Sequence, residues 1–561
     1  MAVSAGAPRQ SVAASFPPIP LRRRLYGFGS IYGKTIRDSR LAFIIAAGLL
    51  GGMALVMGVA VGTVFPSPAA RLEVDKLIGS MPAAMITLFG KPEKLGTLGG
   101  YMSWKYGAVF ALGTALWSIL ALSSTLAGEA QRGSLDFVAA APFGKRRIAL
   151  EKLAGHLTML VLAMAILAVM TTTSSTLFGD AALGDRIPLL SSAGFALWVG
   201  FIGLFFGGLA FALAPLLGRS GAAGVAGIVM VILWVANGLD VGGPIAALSP
   251  FRWTADHIAL VGMYDWTGLA LVGVVGVVFL GVGVELFTRR DLGVTAGITL
   301  PGLPTAALGV RGPISRAFAD QLPRSLSWGI GLFLMGALLA SLVGPMADQI
   351  LASPDLRSIF ATIFPDFDLG SAGGFLQLYV QLFFIAAGFA AATFVSKWAS
   401  DETDGRLETV LTTPLARARW VVAGGIAAIA AVVVTTVLLA AGVGIGAASS
   451  GLSAVDPMLG SAALGLYGIA IVGIGVAIGG LWRTSIAAEF AAIVVVATYL
   501  IDLIAPPLKL PDWVHQLALT AHLGQPMIGQ WDVAGIVACV VIAFGGIALG
   551  AWGMARRDIE R

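Results

Sequence analysis

Two charged stretches, each set between long apolar runs, hold the residues of this 561-residue chain whose types and spacing best suit a functional role. The first is GEAQRGSLDFVAAAPFGKRRI, Gly128 to Ile148, and the second is SDETDGRLETVLTTPLARARW, Ser400 to Trp420. They align without gaps at an offset of 272 positions. Gly133 falls on Gly405, Leu135 on Leu407, Asp136 on Glu408, Pro142 on Pro414, Lys145 on Arg417 and Arg147 on Arg419. Glu129, Asp401 and Glu402 stand just upstream. In each copy an apolar stripe at i, i+3, i+4 (Leu407, Val410, Leu411; Leu135, Val138, Ala139) predicts a short helix with one buried face. Thr412 or Thr413 is placed to cap the following helix, with Pro414 in its first turn. Such an element is rigid, amphipathic and presented twice. A passive loop has no reason to keep one pattern twice while the flanking apolar runs diverge.

Bond-making chemistry has little support. The four histidines, His156, His257, His515 and His522, stand in no HExxH or other metal spacing, and no GxSxG elbow is present. Cys539 is a lone cysteine in an apolar run, which excludes an internal disulfide. Gly29 to Thr35 imitates a phosphate loop but is one residue short of GxxxxGK[ST], with no strand before it. The chain is expected to be no enzyme by itself, and to hold no metal or cofactor. Glu489 alone among the acids enters an apolar run, close to Arg483. An ion-coupled carrier ordinarily keeps carboxylates at membrane depth.

The elements around these stretches follow from composition. With 57% hydrophobic and 12% charged residues, the chain is far from the soluble average of about 25% charged. Repeated apolar runs of about 20 residues predict an all-α polytopic membrane protein. Twelve spans are expected, near 41–64, 102–127, 152–177, 191–217, 221–240 and 267–288, then 326–346, 373–396, 421–445, 459–482, 485–504 and 532–554. With both termini cytoplasmic, the inner segments hold 26 of the 35 Lys and Arg residues, so this orientation in the cell membrane is preferred. Lys105 is counted here with the outer loops.

Two basic amphipathic stretches, Leu21–Arg40 and Gly312–Arg324, are read as interfacial helices preceding each set of six spans. The expected layout is a disordered tail over 1–18, a first transmembrane domain over 19–288 with its charged loop at 128–150, and a linker over 289–311. A second transmembrane domain follows over 312–555 with its loop at 397–420, and then a cytosolic tail over 556–561. Both halves start on one side, which makes them parallel repeats. Residues 241–266 and 505–531, rich in Pro and Trp, are expected to form short helices capping the outer face.

An acidic residue, Gly, Leu-Asp/Glu, then Pro and a basic pair, between spans two and three of a six-span unit, resembles the coupling region of ATP-binding cassette (ABC) exporter permeases of the ABCG-like (type V) fold. The resemblance covers the whole chain as two fused permease units. It is nearest to actinobacterial permeases for antibiotic, polyketide (tetronasin-like) and multidrug export. It implies that Glu129, Gly133, Leu135, Asp136, Pro142, Lys145 and Arg147, with Asp401, Glu402, Gly405, Leu407, Glu408, Pro414, Arg417 and Arg419, couple to an ATPase. That ATPase is a separate subunit in two copies, carrying ATP and Mg2+, because GxxxxGK[ST] is absent here.

In this fold spans two, five, eight and eleven line the central path. The resemblance therefore implies a path of Trp104, Phe110 and Trp117; Met230, Trp234 and Asn237; Phe375, Gln377, Tyr379, Gln381 and Phe383; and Glu489, Phe490 and Tyr499. An aromatic path with a few amides suits an amphipathic small molecule, not nucleic acid. The rival readings are an ion-driven twelve-span carrier of the major facilitator type and a membrane scaffold that moves nothing.

Overall fold

The computed structural model describes residues 29–64, 67–68, 71–72, 90–126, 128, 144–239, 243–289, 312–352, 372–451, 453–504 and 511–557. Almost everything described is helical. In the first half the helices are α1 (Ile31–Val64), α2 (Leu98–Thr125), α3 (Lys145–Phe178), α4 (Leu189–Arg219), α5 (Gly221–Trp234) and α6 (Trp266–Thr288). In the second they are α7 (Pro313–Ala352), α8 (Ala372–Thr403), the short α9 (Leu407–Leu411), α10 (Arg417–Ser449), α11 (Val455–Leu481), α12 (Ala487–Ile504) and α13 (Val533–Met554). Eleven of these are long and apolar enough to cross a membrane. The chain is a multi-pass helical membrane protein.

The expected span near 221–240 falls on α5, whose helix continues past Trp234 to Leu239. It is nearly continuous with α4, broken at Gly218, whose φ of 69° and ψ of 179° leave the helical region one turn beyond Pro215. The expected interfacial helices are not separate elements but are continuous with the spans that follow. Ile31–Arg40 forms the first turns of α1, and Pro313–Arg324 the first turns of α7. No Gly or Pro separates Arg37 from Ala46, so nothing stops the helix where the charges end. Leu21–Phe28 lies outside the described residues.

The closely packed helix pairs among the described residues all fall within one half or the other. Packing neighbours recur: α1 lies against α3 as α7 lies against α10, and α4 against α6 as α11 against α13. Small residues allow this closeness. Gly473 and Gly480 of α11 meet Gly546 and Gly550 of α13 backbone to backbone, and a Cβ at Gly480 would lie 2.1 Å from the Gly550 carbonyl oxygen. In lipid, where apolar contact with a neighbour is no better than with an acyl chain, such close backbone approach is what favours association.

One end of the bundle carries the charged motif and is called the motif face; the other is the far face. On the far face, short turns cap both halves, as the sequence suggests: Pro244–Ala247 and Pro250–Trp253 in the first, Asp512–His515 and a small hairpin, Gly524–Gln525 with Gln530–Trp531, in the second. Asp265 caps α6 through the Gly268 N–H at 2.9 Å, and Asp532 caps α13 through the Ala534 N–H at 2.9 Å. Each fills donors that a helix start leaves open.

His257 pins the first cap. Its Nδ1 accepts from the Asp265 N–H at 3.2 Å, which leaves Nε2 to donate to the Gly194 carbonyl at 3.3 Å. Burial holds its pKa below the ordinary imidazole value of 6.5, because the ring must stay neutral to accept. A lowered folded pKa means stability that is present above about pH 6.5 and lost as the pH falls toward the folded pKa. Wild type is therefore expected to lose thermal stability in that window. His257→Gln is expected to be less stable at neutral pH and flatter below it, checked by unfolding temperature against pH in detergent.

Candidate functional site

The second charged motif folds on the motif face between α8 and α10. Helix α8 runs past the membrane to Thr403, and Gly405 turns the chain with φ 71°. A Cβ there would meet nothing within 4 Å, so the glycine answers a left-handed backbone rather than crowding. Leu407 and Val410 of α9 are buried against Trp398 and Trp420, which stack at 5.1 Å. Glu408 and Thr409 point to solvent. This matches the apolar stripe read from the spacing.

The expected caps fail. Thr412 and Thr413 donate back to the Thr409 and Val410 carbonyls, and α10 starts at Arg417 with Ala416 at its N-cap. Their hydroxyls close α9 instead of opening α10. Pro414 is exposed in the connecting turn.

The acidic residues divide into two roles. Asp401 lies 3.7 Å from exposed Arg406, which also holds Asp404 at 3.0 Å. Such surface pairs contribute little. Glu402 is different: it is buried rather than presented on the surface. Its side chain is wholly buried, with Oε2 2.6 Å from Arg557 and 2.7 Å from the Thr484 hydroxyl. Arg557 reaches it from beyond α13, and the Arg557 carbonyl accepts from Arg417 at 2.8 Å. Glu402 thus ties α8, the turn before α12 and the C-terminal residues together. Arg419 is exposed. Beside α9, a small open cleft is lined by Arg316 and Asp320 of α7, by Lys397 and Asp401 of α8, and by Val410 and Trp420.

Glu129, Gly133, Leu135, Asp136 and Pro142 of the first motif lie outside the described residues. Lys145 and Arg147 open α3, where Arg147 pairs with Glu151 at 2.7 Å. Glu151 in turn accepts from the Tyr32 N–H at 3.2 Å, fastening α1 to α3.

The implied path residues separate sharply. Phe110 and Phe383 are 0% exposed and Met230 is 7%, all three packed in the cores of their halves. Phe110 packs edge-on against Phe195 of α4, and Phe383 lies in the second-half core. Trp117 packs against His156 of α3, and Trp234 lies half-buried on the first-half core. Gln377 accepts from the Met527 N–H at 3.2 Å and so fastens the far-face loop. Gln381 reaches Asp502, which also accepts from Thr520. Asn237 is half-buried. The side chains of Phe375 and Tyr379 lie outside those described.

Glu489 and Phe490 are exposed at the motif-face start of α12. Tyr499, further along α12, lies near enough to Tyr106 of α2 to interact with it electrostatically. Arg219 of the α4–α5 break likewise lies near Arg324 of α7. Helices of the two halves therefore face one another at both ends.

The sequence reading missed Lys105. It counted this residue with a loop, whereas it lies inside α2, in a π-helical turn, Met102–Tyr106. The available signal was a lysine between Trp104 and Tyr106 inside the expected span 102–127.

Residues 310–554 match the family model described as the C-terminal domain of the multidrug efflux system permease Rv1217c. Over 525 residues the chain is 24% identical to the multidrug efflux system permease protein Rv1217c of Mycobacterium tuberculosis, covering 91% of this chain and 90% of that protein. The chain is thus similar, across nearly its whole length, to a multidrug efflux permease.

Proposed function

We propose that this chain is the membrane permease of an ABC exporter, moving amphipathic compounds out of the cell. ATP and Mg2+ act on a separate subunit present in two copies, and the motif face is cytosolic. The observation that carries this is α9. It is a short helix hung between two spans, its apolar side buried and Glu408 presented beside an amphipathic cleft. That is the shape of a docking element, and its sequence pattern recurs in the first half. Similarity to a multidrug efflux permease supports the transported class.

ATP enters as a difference in stability between docked states, because a ligand moves a conformational equilibrium only through such a difference. With close helix packing confined to each half among the described residues, the two halves are the bodies that rock, as parallel repeats of one unit. Glu489, on which an ion-driven carrier would rest, is exposed in the first turn of α12 rather than deep in a span.

The test is a pull-down of the tagged full chain in mild detergent, with stoichiometry by mass spectrometry. Two copies of a soluble protein carrying GxxxxGK[ST] are expected per chain. Glu408→Lys is expected to weaken that capture about tenfold, the effect of losing one good interface contact, without changing the elution of the chain itself. A chain that purifies alone with nucleotide present, and whose efflux a protonophore abolishes, would make it an ion-driven carrier.

A further inference from the structure

Lys105 stands about 10 Å below the far-face end of α2, seven residues past Leu98 at 1.5 Å per residue. The π-helical turn around it adds a residue to the helix and re-aims the neighbouring side chains, a feature frequent at functional sites. Its Nζ donates to Tyr101 Oη at 2.8 Å. It lies 5.2 Å from the Tyr101 ring centre and 5.5 Å from that of Tyr106. An ammonium has three donors. Among the described residues it is met by this hydroxyl and the tyrosine ring faces, and no carboxylate pairs with it.

The side chain leans toward the far face on Tyr101, which is itself buried in a cluster with Leu95, Leu98 and Leu260, so the ammonium is seated on a packed ring. A purely fastening role fails. The equivalent repeat position, 272 residues on, is Gln377, an uncharged amide that holds the Met527 N–H. The scaffold needs no cation there. Tyr106 also lies near Tyr499 of the other half, so the ammonium stands where the two halves come together. A cation held inside α2 by aromatic faces, with donors to spare among the described residues, is arranged to receive an anion.

We propose that Lys105 recognises the carboxylate of an amphipathic acid whose apolar body lies against Tyr106 and Tyr499. Calling this a point on the transport path rests on the exporter reading; binding itself does not.

The test uses the purified full chain in phosphatidylcholine nanodiscs. The probes are dansyl-labelled undecanoic acid and its methyl ester, with binding followed by dansyl fluorescence. The acid is expected to bind about tenfold more tightly than the ester, as one charge-assisted hydrogen bond allows. Lys105→Gln should abolish that preference and leave ester binding unchanged, the latter showing that the site is still folded. Lys105→Arg should keep most of it, and Lys94→Gln, in the far-face turn, all of it. Equal binding of acid and ester to wild type, or an unchanged preference in Lys105→Gln, would overturn the proposal. So would displacement of the acid by added phosphatidylglycerol, which would give the ammonium to a lipid headgroup. No ATPase is present, so loss of the export reading alone would leave an intact acid preference in the discs.

Discussion

Glu402→Ala is expected to lower the stability of the second half by about 3–5 kcal/mol, the typical effect of removing one partner from a buried ion pair. The carboxylate is fully enclosed and touches both Arg557 and the Thr484 hydroxyl. Removing it leaves a guanidinium that is only 14% exposed facing a void. Arg557→Met should do comparable damage from the other side. A chain ending at Arg556 should behave like it, because it loses the same guanidinium. Thr484→Val removes one hydroxyl donor and should reduce stability by only about 1–3 kcal/mol. The double variant Glu402→Leu with Arg557→Met should recover most of the loss, since a well-packed apolar pair avoids desolvating two charges. The measurement is thermal unfolding in detergent by tryptophan fluorescence, with the monodisperse fraction by size exclusion. Wild-type unfolding of Glu402→Ala together with lost ATPase capture would return this residue to the docking surface.

That reversal of role shows what sequence can and cannot carry here. Asp401 and Glu402 are adjacent acids in a helix that leaves the membrane, and nothing local separates them. Their side chains are about 100° apart around the helix axis. One faces Arg406 and solvent; the other faces Arg557, which is 155 residues away and comes back only after α13 has folded. The stripe of Leu407 and Val410 was legible because its period is local and one side of α9 is wet. Within spans that contrast vanishes. Lipid and protein interior are equally apolar, so a Phe on α2 or α8 reads alike whether it faces core, path or acyl chain. Phe110 and Phe383 belong to the core for reasons held by α4 and the rest of each half, not by their own neighbours. Lys105 was misread for a related reason. A charge beside aromatic residues is what a membrane boundary looks like, and only the continuity of α2 through its π-helical turn places it inside.

On the far face, Asp185→Ala is expected to be as damaging to the first half, again by about 3–5 kcal/mol. Asp185 is 1% exposed and satisfies three donors from three places. Its Oδ1 lies 2.7 Å from Arg71 and accepts from the Leu98 N–H at 2.8 Å; its Oδ2 accepts from the Asp180 N–H at 3.0 Å. The alanine variant takes from a buried guanidinium and two backbone donors the one carboxylate they share. Asp185→Asn keeps the size and one acceptor oxygen, so it should lie between wild type and Asp185→Ala. Unfolding in detergent gives the order. The consequence reaches the path because Leu98 is the first residue of α2. With its N–H released, the helix that positions Tyr101 and Lys105 loses one of the contacts that fix its far-face end, the Thr97 cap on the Gly100 N–H remaining. Asp185→Asn, if it stays folded, should therefore weaken the preference for the dansyl acid over its ester while Lys105 is untouched. An undiminished preference would mean that the π-helical turn holds Lys105 through the surrounding core alone, and that the ion pair serves stability without tuning the site.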